Sequence, residues 1–364
     1  MASPTSLNLA YSVGGTAPTA TLNLTGSAGS AGLNYTATVS STCDCLSITP
    51  TSGNTASNPT ITVSLTNPTS LKSGNYTGTI TVSGTNGSTG NTTVNVTLAV
   101  TAPLPTITAI ANAASGATGP IAPGEVVSIF ANASNPIGPS TPVALSASNL
   151  TSAGNVPLTM GGVSVTFNGR QAPLLYVSST QINAVVPYGV AGFNNFPVIV
   201  NYLGQNSNGF NAQTTTTVPG IFTSNGQGSG PAAILNSNGS TNGNTPTTQP
   251  AAKGSVVSIF LTGEGATAPQ GVDGKVTCGI TGAGCSSLSQ IPVPLLPVAV
   301  LIDGQPAALA TAPGWVGYGE APALVSGVLQ VNAIIPQAAR SGSVSLSISI
   351  GGNTSQQNVT IIVQ

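Results

Sequence analysis

Short runs in which a branched or aliphatic residue alternates with Ser, Thr or Asn leave this chain little choice but to form sheet. Leu7-Asn-Leu-Ala-Tyr-Ser-Val13, Thr60-Ile-Thr-Val-Ser-Leu65, Tyr76-Thr-Gly-Thr-Ile-Thr-Val82 and Val344-Ser-Leu-Ser-Ile-Ser-Ile350 show the alternation clearly. In an extended strand successive side chains point to opposite faces, so each run has one apolar face and one hydroxyl face, the mark of a half-buried strand. Clusters of Gly, Asn, Ser and Pro separate the runs. Turn signals at a spacing of about 8–12 residues belong to antiparallel β-sandwiches. Helical periodicity is missing, and β-branched residues with Gly and Pro disfavour helices in most windows.

The chain has 364 residues, enough for two to four domains with separate cores. One boundary falls near Thr101-Ala-Pro-Leu-Pro105, where a strand-like stretch ends in a proline-bearing linker. Beyond it the sequence duplicates itself. Gly124-Glu-Val-Val-Ser-Ile-Phe130 recurs as Gly254-Ser-Val-Val-Ser-Ile-Phe260, and Val163-Ser-Val-Thr-Phe-Asn-Gly169 recurs as Val298-Ala-Val-Leu-Ile-Asp-Gly304. Gln181-Ile-Asn-Ala-Val-Val-Pro187 recurs as Gln330-Val-Asn-Ala-Ile-Ile-Pro336. The offset grows from 130 to 135 to 149 residues, so the second copy carries two insertions. The expected domains are 1–101, 102–218 and 219–364.

Residues 103–364 resemble the paired C-terminal domain of secreted acidobacterial proteins of uncharacterised function. Ile121-Ala-Pro-Gly-Glu-Val-Val-Ser-Ile-Phe130, Ala172-Pro-Leu-Leu-Tyr-Val-Ser178, Thr180-Gln-Ile-Asn-Ala-Val-Val-Pro187 and Ala232-Ala-Ile-Leu-Asn236 carry that likeness. Each half is also similar to immunoglobulin-like IPT/TIG domains. Residues 5–100 resemble the BACON type of β-sandwich through Leu46-Ser-Ile-Thr-Pro-Thr-Ser-Gly53 and Gly74-Asn-Tyr-Thr-Gly-Thr-Ile-Thr-Val82. Cys45 stands where that pattern has Trp before Leu-Ser. The fold class expected is therefore all-β, three consecutive immunoglobulin-like antiparallel β-sandwich domains of which the last two are an internal duplication. The resemblance implies export and a cell-surface setting, and no reaction.

Charge is nearly absent. Histidine is missing, and the charged side chains are Lys72, Lys253, Lys275, Arg170, Arg340, Asp44, Asp273, Asp303, Glu125, Glu264 and Glu320. Without His there is no Ser-His-Asp or Cys-His pair, and neither Gly-x-Ser-x-Gly nor Ser-x-x-Lys occurs. The six acids are scattered and read as solvated loop carboxylates; Glu125 aligns with Ser255 and Asp303 with Asn168, so the repeated scaffold requires neither. An enzyme would need two carboxylates brought together across domains. No catalytic, cofactor-binding or metal-binding residue is expected: a dense Asp/Asn loop is absent, and Cys-x-Cys alone is a weak zinc signal. Five dispersed cations cannot neutralise a phosphate backbone, so nucleic acid is not an expected partner. No apolar run reaches the roughly 18 residues of a membrane-spanning helix.

Four cysteines form two close pairs. Cys278 and Cys285 bracket a Gly-rich loop and are expected to bridge, a closure contributing about 2–3 kcal/mol. Cys43 and Cys45, as residues i and i+2 of an extended strand, sit near the bridgeable limit of about 6.8 Å and can pair if Asp44 makes a tight bend. Otherwise they reach a neighbouring subunit. Asn-x-Ser/Thr sequons begin at Asn23, Asn34, Asn75, Asn86, Asn91, Asn95, Asn132, Asn149, Asn238, Asn353 and Asn358, candidate N-glycosylation sites in an exported chain. Trp315 and Tyr318 lie in the larger insertion of the second copy, placed for a partner or glycan contact or to plug the end of their sandwich. The expected location is extracellular, at the cell surface. No signal peptide is legible at Met1-Ala-Ser-Pro-Thr, so one is taken as removed.

Two non-catalytic readings follow. In the first, the chain is a structural subunit of a cell-surface filament or assembly. Net charge near zero favours self-association into a homopolymer, and strand-like segments at both ends lack the Lys and Pro that keep open sheet edges apart. In the second it is a secreted adhesin or carbohydrate-binding module, with glycans or a host or cell-surface polymer as partner.

Overall fold

A computed structural model describes residues 1–26, 32–281, 284–285, 287–311 and 317–364. The chain is all-β, and strands account for nearly all its regular structure. It forms two compact units, Met1–Leu104 with Leu203–Gln205, and Pro105–Tyr202 with Asn206–Gln364.

The first unit is a sandwich. One sheet orders Ala2–Ser3, Thr19–Leu24, Thr60–Leu65 and Leu46–Thr49; the other orders Ser6–Ser12, Asn91–Thr101, Gly74–Gly84, Asn34–Ser41 and Ser52–Asn54. The alternation in the sequence becomes the alternation of burial. Along Asn91–Thr101, Val94, Val96, Leu98 and Val100 are buried, whereas Asn95, Thr97 and Ala99 face out. The inward side chains meet Leu22, Ile61, Val63 and Ile80 in one core. Ser6–Ser12 runs parallel to Asn91–Thr101 and lies at the margin of its sheet, paired on one side only among the described residues.

In the second unit the repeated motifs become neighbouring strands in the same register. Val126–Phe130 pairs antiparallel with Gln181–Val185, Val126 opposite Val185. Val256–Thr262 pairs with Val328–Ile334, Val256 opposite Ile334. The cross-strand polar pair repeats too: Ser128 Oγ donates to Asn183 Oδ1 at 3.0 Å, and Ser258 Oγ to Asn332 Oδ1 at 2.8 Å. Both copies also turn a two-residue hairpin on Asn/Asp-Gly. Asn168 and Gly169 have φ of 51° and 74°, Asp303 and Gly304 of 54° and 72°. Two consecutive left-handed residues make the tight turn whose twist suits a hairpin.

One expectation about edges is corrected. The last strand, Val359–Val363, is not an open margin. It pairs antiparallel with Gly342–Ile350 on one side and parallel with Gly230–Pro231 on the other. Ala251 continues the parallel side: its N–H donates to Ile362 O at 2.9 Å, and the Asn242 side chain bonds both backbone groups of Ile362. Buried peptide groups must find partners, and the segment after residue 220 supplies them.

Candidate functional site

The chain has three glutamates, and all are buried: Glu125, Glu264 and Glu320 are 0%, 1% and 2% exposed. The expectation that its acids are solvated loop carboxylates fails for them. Charged groups are rarely fully buried without partners, so their positions ask for a cause.

Glu264 leaves the strand Val256–Thr262 between two glycines in the left-handed region, Gly263 at φ 84° and Gly265 at φ 79°. A Cβ at Gly263 would lie 1.8 Å from Val218 O, and one at Gly265 2.0 Å from Thr216 O. Backbone passes directly over both positions, so only Gly-Glu-Gly brings this side chain inward. Glu320 closes the short strand Tyr318–Glu320. Thr277 Oγ1 donates to its Oε2 at 2.6 Å, and Ser326 Oγ donates to its Oε1.

The third member comes from the first copy. Tyr188 follows the Val-Pro step of the repeat, and its Oη lies 2.7 Å from Glu264 Oε1 and 2.9 Å from Glu320 Oε1. Its ring fits between two glycines: a Cβ on Gly124 would come within 2.6 Å of it, and one on Gly271 within 2.4 Å. Its backbone N–H donates to Asp273 Oδ1 at 2.9 Å. Two further bonds join the copies alongside. Val126 N–H donates to Thr262 Oγ1 at 2.8 Å, and Val156 N–H to Gly274 O at 2.8 Å. A shared apolar cluster of Val126, Val156 and Val185 with Val276, Ala321 and Val328 surrounds these contacts.

Burial dominates the electrostatics of the joint. Desolvation pushes Glu264 well above the usual carboxylate range, reinforced by the charge on Glu320 and opposed by the Tyr188 hydroxyl. It also raises Glu320, against the pull of Ser326, Thr277 and Tyr188 and of nearby Lys275. Tyr188 rises through burial and the two adjacent carboxyls. Glu125 is pushed up to about 8 by burial, although Ala122 N–H donates to its Oε2 at 2.7 Å. Among the described residues, Glu125 Oε1 and Glu264 Oε2 have no hydrogen-bond partner.

Chemically the arrangement holds two surfaces together. A glycosidase pair must admit a sugar between its carboxyl groups. Here the Tyr188 hydroxyl of the first copy occupies the space between Glu264 and Glu320 of the second, within hydrogen-bonding distance of both. A cleft of about 440 Å³ lies near the joint, with Pro123, Val190, Phe193, Thr216, Glu264 and Leu296 in its wall.

The other residues singled out by sequence are dispersed. Cys43 bridges Cys45, with Asp44 in the left-handed region at φ 49° as the bend required, and Cys278 bridges Cys285. Asp303 pairs with Arg340 at the surface at 2.6 Å, which holds its carboxyl down to about 2. Tyr318 sits half-buried in its strand and packs on the second-copy core; Trp315 lies outside the described residues. Asn34 and Asn149 are half-buried, and the other sequon asparagines are exposed. In the first unit a trough of about 560 Å³ crosses the outer sheet face, lined by Ser40, Thr42, Thr77, Thr79, Asn95 and Thr97. Among the described residues no helix is long and apolar enough to cross a membrane.

No protein-family profile and no curated protein matches the chain. Solved structures that resemble it share little sequence with it. A Bacteroides ovatus mixed-linkage glucan utilization locus protein, SGBP-B, solved with a mixed-linkage heptasaccharide, aligns at TM-score 0.28 and 12% identity. The alignment covers 98% of this chain and 65% of that one. The S-layer protein SbsC, domains 5-6, aligns at 0.19 and 14% identity, covering 59% and 95%. A protocadherin gammaB7 cis-dimer structure aligns at 0.20 and 10%, covering 100% and 73%. Scores this low carry no argument about the work the chain does; its β-sandwich character rests on its own sheets.

Proposed function

We propose that the chain is a non-enzymatic extracellular structural protein, a subunit of a cell-surface filament or assembly joined by pairing of sheet edges. We read the first unit as a BACON-like sandwich and the two copies of the second as duplicated IPT/TIG-like sandwich domains of the acidobacterial kind. Two disulfides support an oxidising compartment.

The observation that carries the reading is the margin strand Ser6–Ser12. It is seven residues long, paired on one side only among the described residues, and holds neither a charge nor a proline. Exposed margins of that kind are ordinarily guarded, because their unpaired N–H and C=O groups add to another sheet. Sedimentation and negative-stain microscopy over a range of concentrations test it. Wild type forms polymers, and Ser6→Lys with Ala10→Lys, both at exposed positions, abolishes them without lowering the melting temperature. Dispersed monomers of wild type at every concentration overturn the proposal.

A second reading, a secreted adhesin or glycan-binding module, is favoured by the hydroxyl-lined trough over Thr77, Thr79 and Thr97. Neutral hydroxyls and amides match a neutral polyol. Glycan-array binding lost in Thr77→Val with Thr79→Val supports this reading, whereas loss in Trp315→Ala moves the contact to the insertion.

A further inference from the structure

We propose that Glu264, Tyr188 and Glu320 form a proton-operated latch between the two copies, closed when their three facing oxygens hold two protons and released when they hold one. This inference is independent of whether the chain polymerises.

The count of protons comes from the geometry. Glu264 Oε1, Tyr188 Oη and Glu320 Oε1 make two contacts, at 2.7 Å and 2.9 Å. Each hydrogen bond needs one proton, and the phenol supplies one. The second must sit on a carboxyl. Glu320 is equipped to stay ionised: it accepts from Thr277 and Ser326, and Lys275 lies near it. Glu264 has the tyrosine alone, and its Oε2 has no partner among the described residues. The proton therefore belongs to Glu264, whose O–H donates to Tyr188 Oη while the phenol O–H donates to Glu320 Oε1.

Removing that proton to bulk water leaves two carboxylates facing one donor, on residues 1% and 2% exposed. Like charges in a desolvated site repel strongly, and an unpaired buried charge is costly. The closed latch binds one more proton than the open one. It is therefore favoured in acid and lost as pH rises through the elevated titration of Glu264. The other charged groups set its balance. Asp273, on the Tyr188 N–H, adds negative potential; Arg170 beside Asp273 and Lys275 beside Glu320 oppose it; Glu125 is a further buried acid, on the first copy.

The chain's composition makes the test clean. Labelling the full chain with ¹³C-glutamate gives three side-chain carboxyl signals, followed from about pH 4 to about pH 10. Amide exchange of Val126 and Val156, whose N–H groups cross between the copies, is followed in parallel. The signal missing in Glu264→Gln titrates far above the ordinary carboxylate range. Over the same interval protection of the two amides falls about tenfold per pH unit beyond the intrinsic rate. In Glu264→Gln the side-chain amide donates to Tyr188 at every pH and the dependence flattens, while Glu125→Gln retains it. Equal steepness in Glu264→Gln overturns the latch. So does a wild type in which all three glutamate signals titrate in the ordinary range, a result that needs no variant.

Discussion

The two copies build the same strand entrance and put it to different use. In each, a left-handed glycine donates to the residue before the proline of the Val/Ile-Pro step: Gly124 to Val186 O at 2.9 Å, Gly254 to Ile335 O at 2.8 Å. The return bond also repeats, from Val186 N–H to Glu125 O and from Ile335 N–H to Ser255 O. Yet the first entrance is sealed by the second copy, and the second is not. Glu125 is fully buried and its counterpart Ser255 half-exposed; Tyr188 is buried and its counterpart Gln337 exposed. Local hydrogen bonding is a property of the repeat. Which side chains the entrance tolerates is a property of what covers it.

The largest expected difference lies at Glu125 against Ser255. A carboxyl raised from 4.5 to about 8 by folding keeps its proton in the folded state, so its contribution to stability is present below the unfolded value. That contribution is lost as pH rises toward 8, by up to about 5 kcal/mol. Denaturant unfolding of Glu125→Gln across that interval shows the dependence reduced by the share of one proton, with the share carried by Glu264 remaining, whereas Ser255→Ala leaves it unchanged. A slope in Glu125→Gln equal to wild type contradicts the contrast.

Next come the two glycines. Gly124→Ala drives a methyl into the Tyr188 ring and costs about 3 kcal/mol or more, from left-handed strain plus overpacking. Gly254→Ala meets the end of the Gln337 side chain, which can swing away, and costs about 1 kcal/mol of backbone strain. Unfolding midpoints at matched pH measure the gap. Equal costs place the two entrances in equivalent surroundings.

Tyr188→Phe leaves both carboxyls without their shared hydroxyl and costs about 2 kcal/mol. Gln337→Ala, at an exposed site, stays within about 0.5 kcal/mol. The smallest difference is at the hairpins. Asp303→Asn makes the second turn like the first, where Asn168 already holds the same left-handed conformation, so the melting temperature near neutral pH changes little. Below the usual carboxylate range the Asp303–Arg340 pair is lost as Asp303 protonates near pH 2, and the variant no longer differs from wild type there.

Much of the fold is legible in single stretches of chain. The burial of Val94, Val96, Leu98 and Val100 follows from alternation, and the cysteine pairs from closeness in sequence. The repeated motifs announce their own pairing. The terminal strand shows where this reasoning stops. Its pattern is that of an edge, but Gly230–Pro231 and Ala251 complete it, and nothing local to Val359–Val363 encodes those contacts. The glutamate cluster is harder still, since Tyr188 stands 76 residues from Glu264 and 132 from Glu320. One signal was available. In a chain almost without charge, Gly-Glu-Gly at 263–265 marks an acid held where backbone comes close.

Strand, turn and crosslink were determined by the sequence alone, because alternation, Asn/Asp-Gly pairs and neighbouring thiols act over a few residues. The tertiary structure alone decided which acids lose their water and which margin stays open. Both depend on what distant segments pack against a surface, and desolvation has no local signature in the chain.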